Sequence, residues 1–153
     1  MNLDLYITDN YKSEGFLDLS LLQLFMNKTE GEIKMDKINL EEKFQLFHEF
    51  WSPRIIGELN ESYVKIAKFK GEFTWHTHDN EDEMFYVVKG MLTVKFRDKV
   101  VCLKEGETII IPKGVEHMPV AEDEAHVLLI EPKSTLNTGN VRNSRTVEDL
   151  ERI

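Results

Sequence analysis

From Arg54 to Pro132 the chain alternates short apolar runs with turn residues, and within the runs polar and apolar positions repeat every second residue. The runs "RIIGEL", "SYVKIAKF", "EFTWHTH", "EMFYVVKG", "MLTVKF", "VVCLK", "ETIIIP", "HMPVA" and "HVLLIEP" follow one another. They are broken at Gly71, Asp79-Asn80, Gly90, Arg97-Asp98-Lys99, Glu105-Gly106 and Lys113-Gly114. Such runs predict strands, and many short strands at close spacing predict an antiparallel sandwich or small barrel rather than βαβ units.

The flanks read differently. "NLEEKFQLFHEFW" places apolar residues at 40, 44, 47 and 51, near a helical period, and Asn39 with Glu42 forms a plausible N-terminal cap. A short helix or pair of helical turns is expected there, stopped by Pro53. Upstream, the apolar run "FLDLSLLQLFM" (Phe16 to Met26) fits neither a helix nor a strand cleanly. Met35 stands just ahead of "DKINLEEKF". The expected division is an N-terminal extension, 1–34, and one domain, 35–153, with a core barrel at about 53–132 and a tail at 133–153. The tail is polar and loop-like, and Thr146 followed by Asp149 offers a cap for a short terminal helix.

A chain of 153 residues can bury a substantial core. Its net charge of −9 argues against nucleic acid and anionic membrane surfaces as partners. The run Phe16 to Met26 is too short to span a bilayer, and the first residues carry acids where a secretory signal carries Lys or Arg. A cytoplasmic location is the expectation. The single cysteine, Cys102, excludes an intramolecular disulfide. Lying in the apolar run Val100 to Leu103, it reads as a buried, inert thiol.

The candidate chemistry lies in "WHTHDNEDEMF". Taken alone, the acids read as a wet turn and the His-x-His as chance. Placed on a strand, however, His76 and His78 face one way, with Thr74, and Glu83 opens the next strand opposite them. Two imidazoles and a carboxylate converging inside a small barrel are costly unless something satisfies them, and a divalent metal does so. "GETIIIPKGVEH" then supplies a fourth donor, His117, after a strand and a Pro-Lys-Gly turn.

At this point the chain resembles the cupin superfamily, specifically small single-domain members often described as phosphomannose-isomerase-like. The superfamily's first motif reads here as His76-Thr77-His78, Glu83 and Gly90, and its second as Gly106, Pro112, Gly114 and His117. Fifteen residues separate Gly90 from Gly106, close to the shortest spacing in the family. Two positions depart: the leading glycine comes one place late, at Gly71, and Ala121 replaces a frequent asparagine. The resemblance covers about residues 53–132 and implies an all-β fold, an antiparallel double-stranded β-helix (cupin or jelly-roll barrel). It implies His76, His78, Glu83 and His117 as metal ligands, with Asp79, Asn80, Glu81 and Asp82 as the solvated turn between them.

Three imidazoles and one carboxylate suit Fe, Mn, Ni, Zn or Cu as a divalent ion, and no thiolate is present to select a soft metal. On an octahedral ion roughly two positions stay open. Two functions follow. One is a metal-dependent enzyme, of isomerase or dioxygenase type, acting on a small oxygen-rich or carbonyl metabolite. The alternative is a noncatalytic small-molecule-binding or sensing module that keeps its metal. The phosphomannose label is a fold analogy and fixes no reaction. Lys95 and Arg97 share a strand face opposite Leu92, Val94 and Phe96, so they read as solvent-facing and lend a phosphate pocket little support. The pocket is expected to be small and mostly apolar, with Phe85 and Val87 on the face of Glu83. No basic helix-turn-helix is evident, so a transcription regulator is not expected. His48 reads as a surface or packing histidine. His126 shares a face with Leu128 and Ile130 and reads first as a satisfied core histidine, with an acid–base role or a place behind the metal ligands as the alternative. Exposed strand edges lead to the expectation of a homodimer.

Overall fold

The computed structural model describes residues 36–153. The expected N-terminal extension, 1–34, lies outside the described residues. The first element among the described residues is a short helix, α1 (Leu40–Phe44), whose cap is the one the sequence predicts: the Asn39 side chain accepts from the Glu42 amide at 3.3 Å and donates to the Glu42 carboxylate at 3.0 Å.

Seven strands follow: β1 (Arg54–Leu59), β2 (Ser62–Glu72), β3 (Glu83–Lys89), β4 (Met91–Phe96), β5 (Val100–Lys104), β6 (Thr108–Ile111) and β7 (His117–Pro132). All pair antiparallel. The long β7 organises the barrel. Along one side it pairs with β2, from Ser62↔Pro132 to Glu72↔Val120. Along the other it pairs first with β4 (Phe96↔His117 to Thr93↔Val120) and then with β3 (Lys89↔His126 to Met84↔Ile130). One strand therefore belongs to both halves of a jelly roll.

"HMPVA" and "HVLLIEP" were expected as separate strands, and they are one. The partners jump from Gly71↔Ala121 to Phe69↔Ala125, so Glu122, Asp123 and Glu124 bulge outward opposite Lys70. That bulge lets the acids reach solvent without ending the strand. At the β3–β4 turn, Gly90 has φ +84°, and a Cβ there would meet the Glu124 carbonyl oxygen at 2.8 Å.

The period of two sorts the side chains as the sequence predicts. Phe85 and Val87 of β3, Leu92, Val94 and Phe96 of β4, and Ala125, Val127 and Leu129 of β7 fill the interior with Ala67 and Phe69 of β2. Outside the barrel, Phe44 of α1 and Phe47, three residues beyond it, cover one face and pack with Ile66, Leu128 and Ile153.

Two expectations need correction. Cys102 is exposed, because β5 is an edge strand that sends Leu103 inward and Cys102 outward. The tail forms no terminal helix. Thr146 Oγ1 instead accepts from the Asn143 amide, and residues 151–153 hydrogen-bond with Ile55 of β1 through Glu151 and Ile153. The backbone groups a helix would use are taken by the barrel edge.

Candidate metal centre

His76 and His78 lie in the segment joining β2 to β3, which is not the regular strand the alternation suggests. His76 exchanges two backbone hydrogen bonds with His117, each 3.0 Å, and the His78 carbonyl accepts from the Gly114 amide at 2.7 Å. Between them, Thr77 turns to the tail: its amide donates to the Asn140 side chain at 3.1 Å, and its carbonyl accepts from the Asn140 amide at 3.0 Å. Those bonds replace a strand ladder and fix the loop from the C-terminal side. The sequence gives little warning of this, since Asn140 sits in a polar stretch with no motif.

The four side chains predicted from sequence come together. His76, His78, Glu83 and His117 are all buried, and one donor atom of each lies within 4.8 Å of the others. The imidazoles are oriented before anything binds. His76 Nδ1 stands 3.0 Å from the Thr74 carbonyl, and His117 Nδ1 stands 3.0 Å from the Val115 carbonyl. A carbonyl can only accept, so each Nδ1 carries the proton and each Nε2 presents its lone pair. His117 Nε2 then faces Glu83 Oε2 at 3.1 Å, and His78 Nε2 lies 3.5 Å from the same oxygen, with no hydrogen-bond partner among the described residues. Neutral imidazoles would turn lone pairs toward a carboxylate in a buried space, which only a proton or a cation between them relieves.

The electrostatics follow from that crowding. Burial, helped by the nearby imidazole of His117, pushes His76 down to about 4. Burial also opposes the charge on His78, but the Glu83 carboxylate outweighs it and holds this imidazole above its ordinary value. Burial alone would raise the Glu83 carboxyl, yet His117 and His78 together hold it well below the usual carboxylate range. The cluster is thus set to keep a carboxylate ionised among imidazoles, the protonation state a metal requires of Glu83.

Beside the cluster is a cavity of about 20 Å³, space for roughly one water molecule. Phe69, Phe73, Phe85 and Leu129 make much of its wall, with His76, Glu83, Glu131 and Asn137 as its polar groups. Trp51 stacks on Phe69 and Phe73 at centroid distances of 4.3 and 4.8 Å. The tail borders this region through Asn137, whose side chain donates to the Arg145 carbonyl at 2.8 Å.

Sequence reasoning missed one group in this space. Lys65 of β2 and Glu131 of β7 are inward-facing and essentially without solvent exposure, at 0% and 1%, and Lys65 Nζ pairs with Glu131 Oε1. Burial and then the Glu83 charge push the Glu131 carboxyl up to about 7, against the pull of Lys65. The period of two on "SYVKIAKF" and "HVLLIEP" puts Lys65 with Ala67 and Phe69, and Glu131 with Val127 and Leu129. That was the available signal.

Other candidates lie elsewhere. His126 is on the outward face of β7, stacked on Phe44 at 4.3 Å and 2.8 Å from the Glu124 carboxylate. His48 is exposed. Asp79, Asn80 and Asp82 are exposed and Glu81 half-buried, as expected of the turn. Lys95 pairs with Glu72 at 2.9 Å and Arg97 with Glu116 at 2.5 Å, both away from the cavity wall.

Comparison with known proteins agrees with the geometry. The family model described as Cupin domain matches residues 62–131. The crystal structure of a cupin-2 domain-containing protein from Shewanella frigidimarina is 48% identical, with a TM-score of 0.62, and the match covers 63% of this chain and 94% of that one. The chain belongs to the cupin superfamily. A Neisseria meningitidis protein of known structure is similar to this cupin at 32% identity and TM-score 0.59, over 64% of this chain and 100% of that one. The Bacillus subtilis protein YdbB is 43% identical over 63 residues, which is 40% of this chain and 56% of YdbB. The match therefore spans little more than half of that relative. Among the described residues, no helix of this cupin is long and apolar enough to cross a membrane.

Proposed function

We propose that this cupin holds a divalent transition metal through His76, His78, Glu83 and His117 and uses it to bind and transform a small oxygen-rich or carbonyl metabolite. The observation that carries the reading is the convergence of four buried donors, two of them with Nδ1 committed to backbone carbonyls, on one point beside an aromatic-lined cavity. A metal bound there would supply Lewis-acid or redox chemistry at its open positions. The protein's own contribution is to fix the imidazole tautomers, to keep Glu83 ionised, and to exclude bulk water behind Phe69, Phe73 and Phe85. Isomerase and dioxygenase chemistry both fit such a site. A noncatalytic binding module would share the metal and the cavity, and turnover separates the two.

The test begins with metal content. Protein purified without added metal and then loaded should take up one ion per chain. His78→Ala and His117→Ala should lose it, while Asp79→Ala and Asp82→Ala should retain it. Stoichiometric metal in either histidine variant would sink the reading.

A further inference from the structure

A lysine and a glutamate with almost no solvent exposure are an expensive feature in a barrel of this size. Replacing a buried ion pair by apolar residues of similar volume is often neutral or stabilising, so the fold itself has no need of Lys65 and Glu131. Their placement is informative instead. Glu131 lines the same cavity as His76 and Glu83, at the inward position next after Leu129 on β7. Only one of its carboxylate oxygens is used. Oε1 meets Lys65 Nζ, whereas the buried Oε2 has no hydrogen-bond partner among the described residues. A buried carboxylate oxygen without a partner costs roughly what a lost charged hydrogen bond costs. The rest of the wall is mostly aromatic and aliphatic carbon, and its other polar side chains are committed elsewhere: Trp51 Nε1 donates to the Lys70 carbonyl, His76 Nδ1 to the Thr74 carbonyl and the Asn137 amide to the Arg145 carbonyl.

We infer that Glu131, held by Lys65, is a ligand-positioning residue whose free Oε2 accepts a hydrogen bond from a hydroxyl of the molecule bound beside the His76–His78–Glu83–His117 cluster. The inference rests on the metal-site reading and narrows its substrate class. The bound molecule carries a hydroxyl next to the oxygen that meets the metal, as in an α-hydroxy carbonyl compound, a vicinal diol or an enediol. A simple ketone or an ether lacks that donor. The cavity of about 20 Å³ limits the part entering it to a small polar end. Because Lys65 already occupies Oε1, the pair presents one acceptor rather than two, which fixes the direction from which the hydroxyl is received.

The test uses cobalt-loaded protein at about pH 8, where Glu131 is ionised even at its raised value. The probes are hydroxyacetone and methoxyacetone, which share a carbonyl and differ in the hydroxyl proton. Binding is read from the cobalt absorption spectrum. The unaltered protein should prefer hydroxyacetone by roughly tenfold or more, the range expected of a charge-assisted hydrogen bond. The double variant Lys65→Met/Glu131→Leu replaces both charges together and is expected to fold. It should keep one metal per chain, bind methoxyacetone as before and lose the preference. Equal affinity for the two probes in the unaltered protein, or no binding of hydroxyacetone at millimolar concentration, overturns the inference. So does a double variant that keeps the preference. If the double variant fails to fold, Glu131→Gln takes its place, and the preference must fall there. Failure of the metal-site reading has a separate signature, absence of cobalt from the unaltered protein.

Discussion

Gly139 is far in sequence from the proposed metal ligands, yet its replacement by alanine should damage the site they form. A Cβ at this position would stand 2.2 Å from the Thr77 carbonyl oxygen, 2.9 Å from the Thr77 carbonyl carbon and 3.2 Å from His76 Cδ2. The obstacle is backbone, so rotating a side chain cannot relieve it. Gly139 also has φ +52°, in the left-handed region. That conformation costs a non-glycine residue about 1–2 kcal/mol. Relieving the overlap means moving the tail or the His76–His78 loop by most of an ångström, because real Cβ contacts stay above 3.0 Å. The move stretches two hydrogen bonds between Thr77 and Asn140, each worth about 0.5–1.5 kcal/mol. The sum is roughly 2–5 kcal/mol of stability.

If the loop gives way, His76 and His78 lose their aim, and perturbing groups that orient metal ligands typically costs about 10–100-fold in metal affinity. Chemical denaturation of the metal-free protein reads the first effect, and competition with a chromophoric chelator reads the second. Asn140→Ala is the control. It removes the bond from the Thr77 amide to the side chain but keeps the one from the Asn140 amide, so its stability loss should be about 1 kcal/mol with a smaller change in affinity. A Gly139→Ala protein with metal affinity within about twofold of the parent and stability within roughly 0.5 kcal/mol would refute the reasoning.

Acidification should release the metal in a stepwise manner. His78, held above its ordinary value by Glu83, competes for protons first, whereas His76, pushed down to about 4, resists protonation until much lower pH. Chelator competition across that range should therefore show affinity declining already near neutrality, and a flat response down to about pH 5 would contradict the assignment. Deleting residues 1–34, which lie outside the described residues, should change solubility or assembly but leave metal content intact. A folded, metal-free truncation would show that the segment shapes the site. Light scattering on the same samples tests the expected homodimer.

The donor set was legible because it is tied to local patterns. His76 and His78 sit two apart, Glu83 opens a strand after an acidic turn, and His117 follows Pro112 and Gly114. Each position is set by a turn and a strand start, and these are short-range features. The interior was legible for the same reason, since the period of two places Phe85, Leu92 and Leu129 on one side without knowledge of the pairing. What was not legible depends on register and on contacts between distant segments. Glu122 to Glu124 looked like a break because acids rarely continue a buried strand, and only the pairing with β2 shows them as a bulge. Thr146 looked like a helix cap because the competing bonds, of Glu151 and Ile153 with Ile55, join segments nearly a hundred residues apart in sequence. The Asn140–Thr77 latch and the Lys65–Glu131 pair are of the same kind.

That ion pair has a consequence for stability that separates it from an ordinary surface bridge. Replacing Lys65 alone by methionine leaves the Glu131 carboxylate buried, without its counter-charge and near Glu83. Its carboxyl, already raised above the unfolded value of 4.5, would rise further. A group whose folded pKa is raised contributes stability that is complete below the unfolded pKa and is lost as pH climbs through the folded one. At about pH 5 a proton substitutes for the missing lysine, and the variant should be only modestly weaker than the parent. At about pH 8 the unfolded chain has released that proton, while the folded variant must either hold it or leave a buried carboxylate unpaired, and the deficit should approach the roughly 3–5 kcal/mol typical of a broken buried pair. Urea denaturation at the two pH values measures the difference directly. Adding Glu131→Leu to Lys65→Met should abolish it, because no ionisable group then remains at the pair. A Lys65→Met deficit of equal size at both pH values would mean that lost packing of the lysine stem, and not the stranded carboxylate, sets the cost.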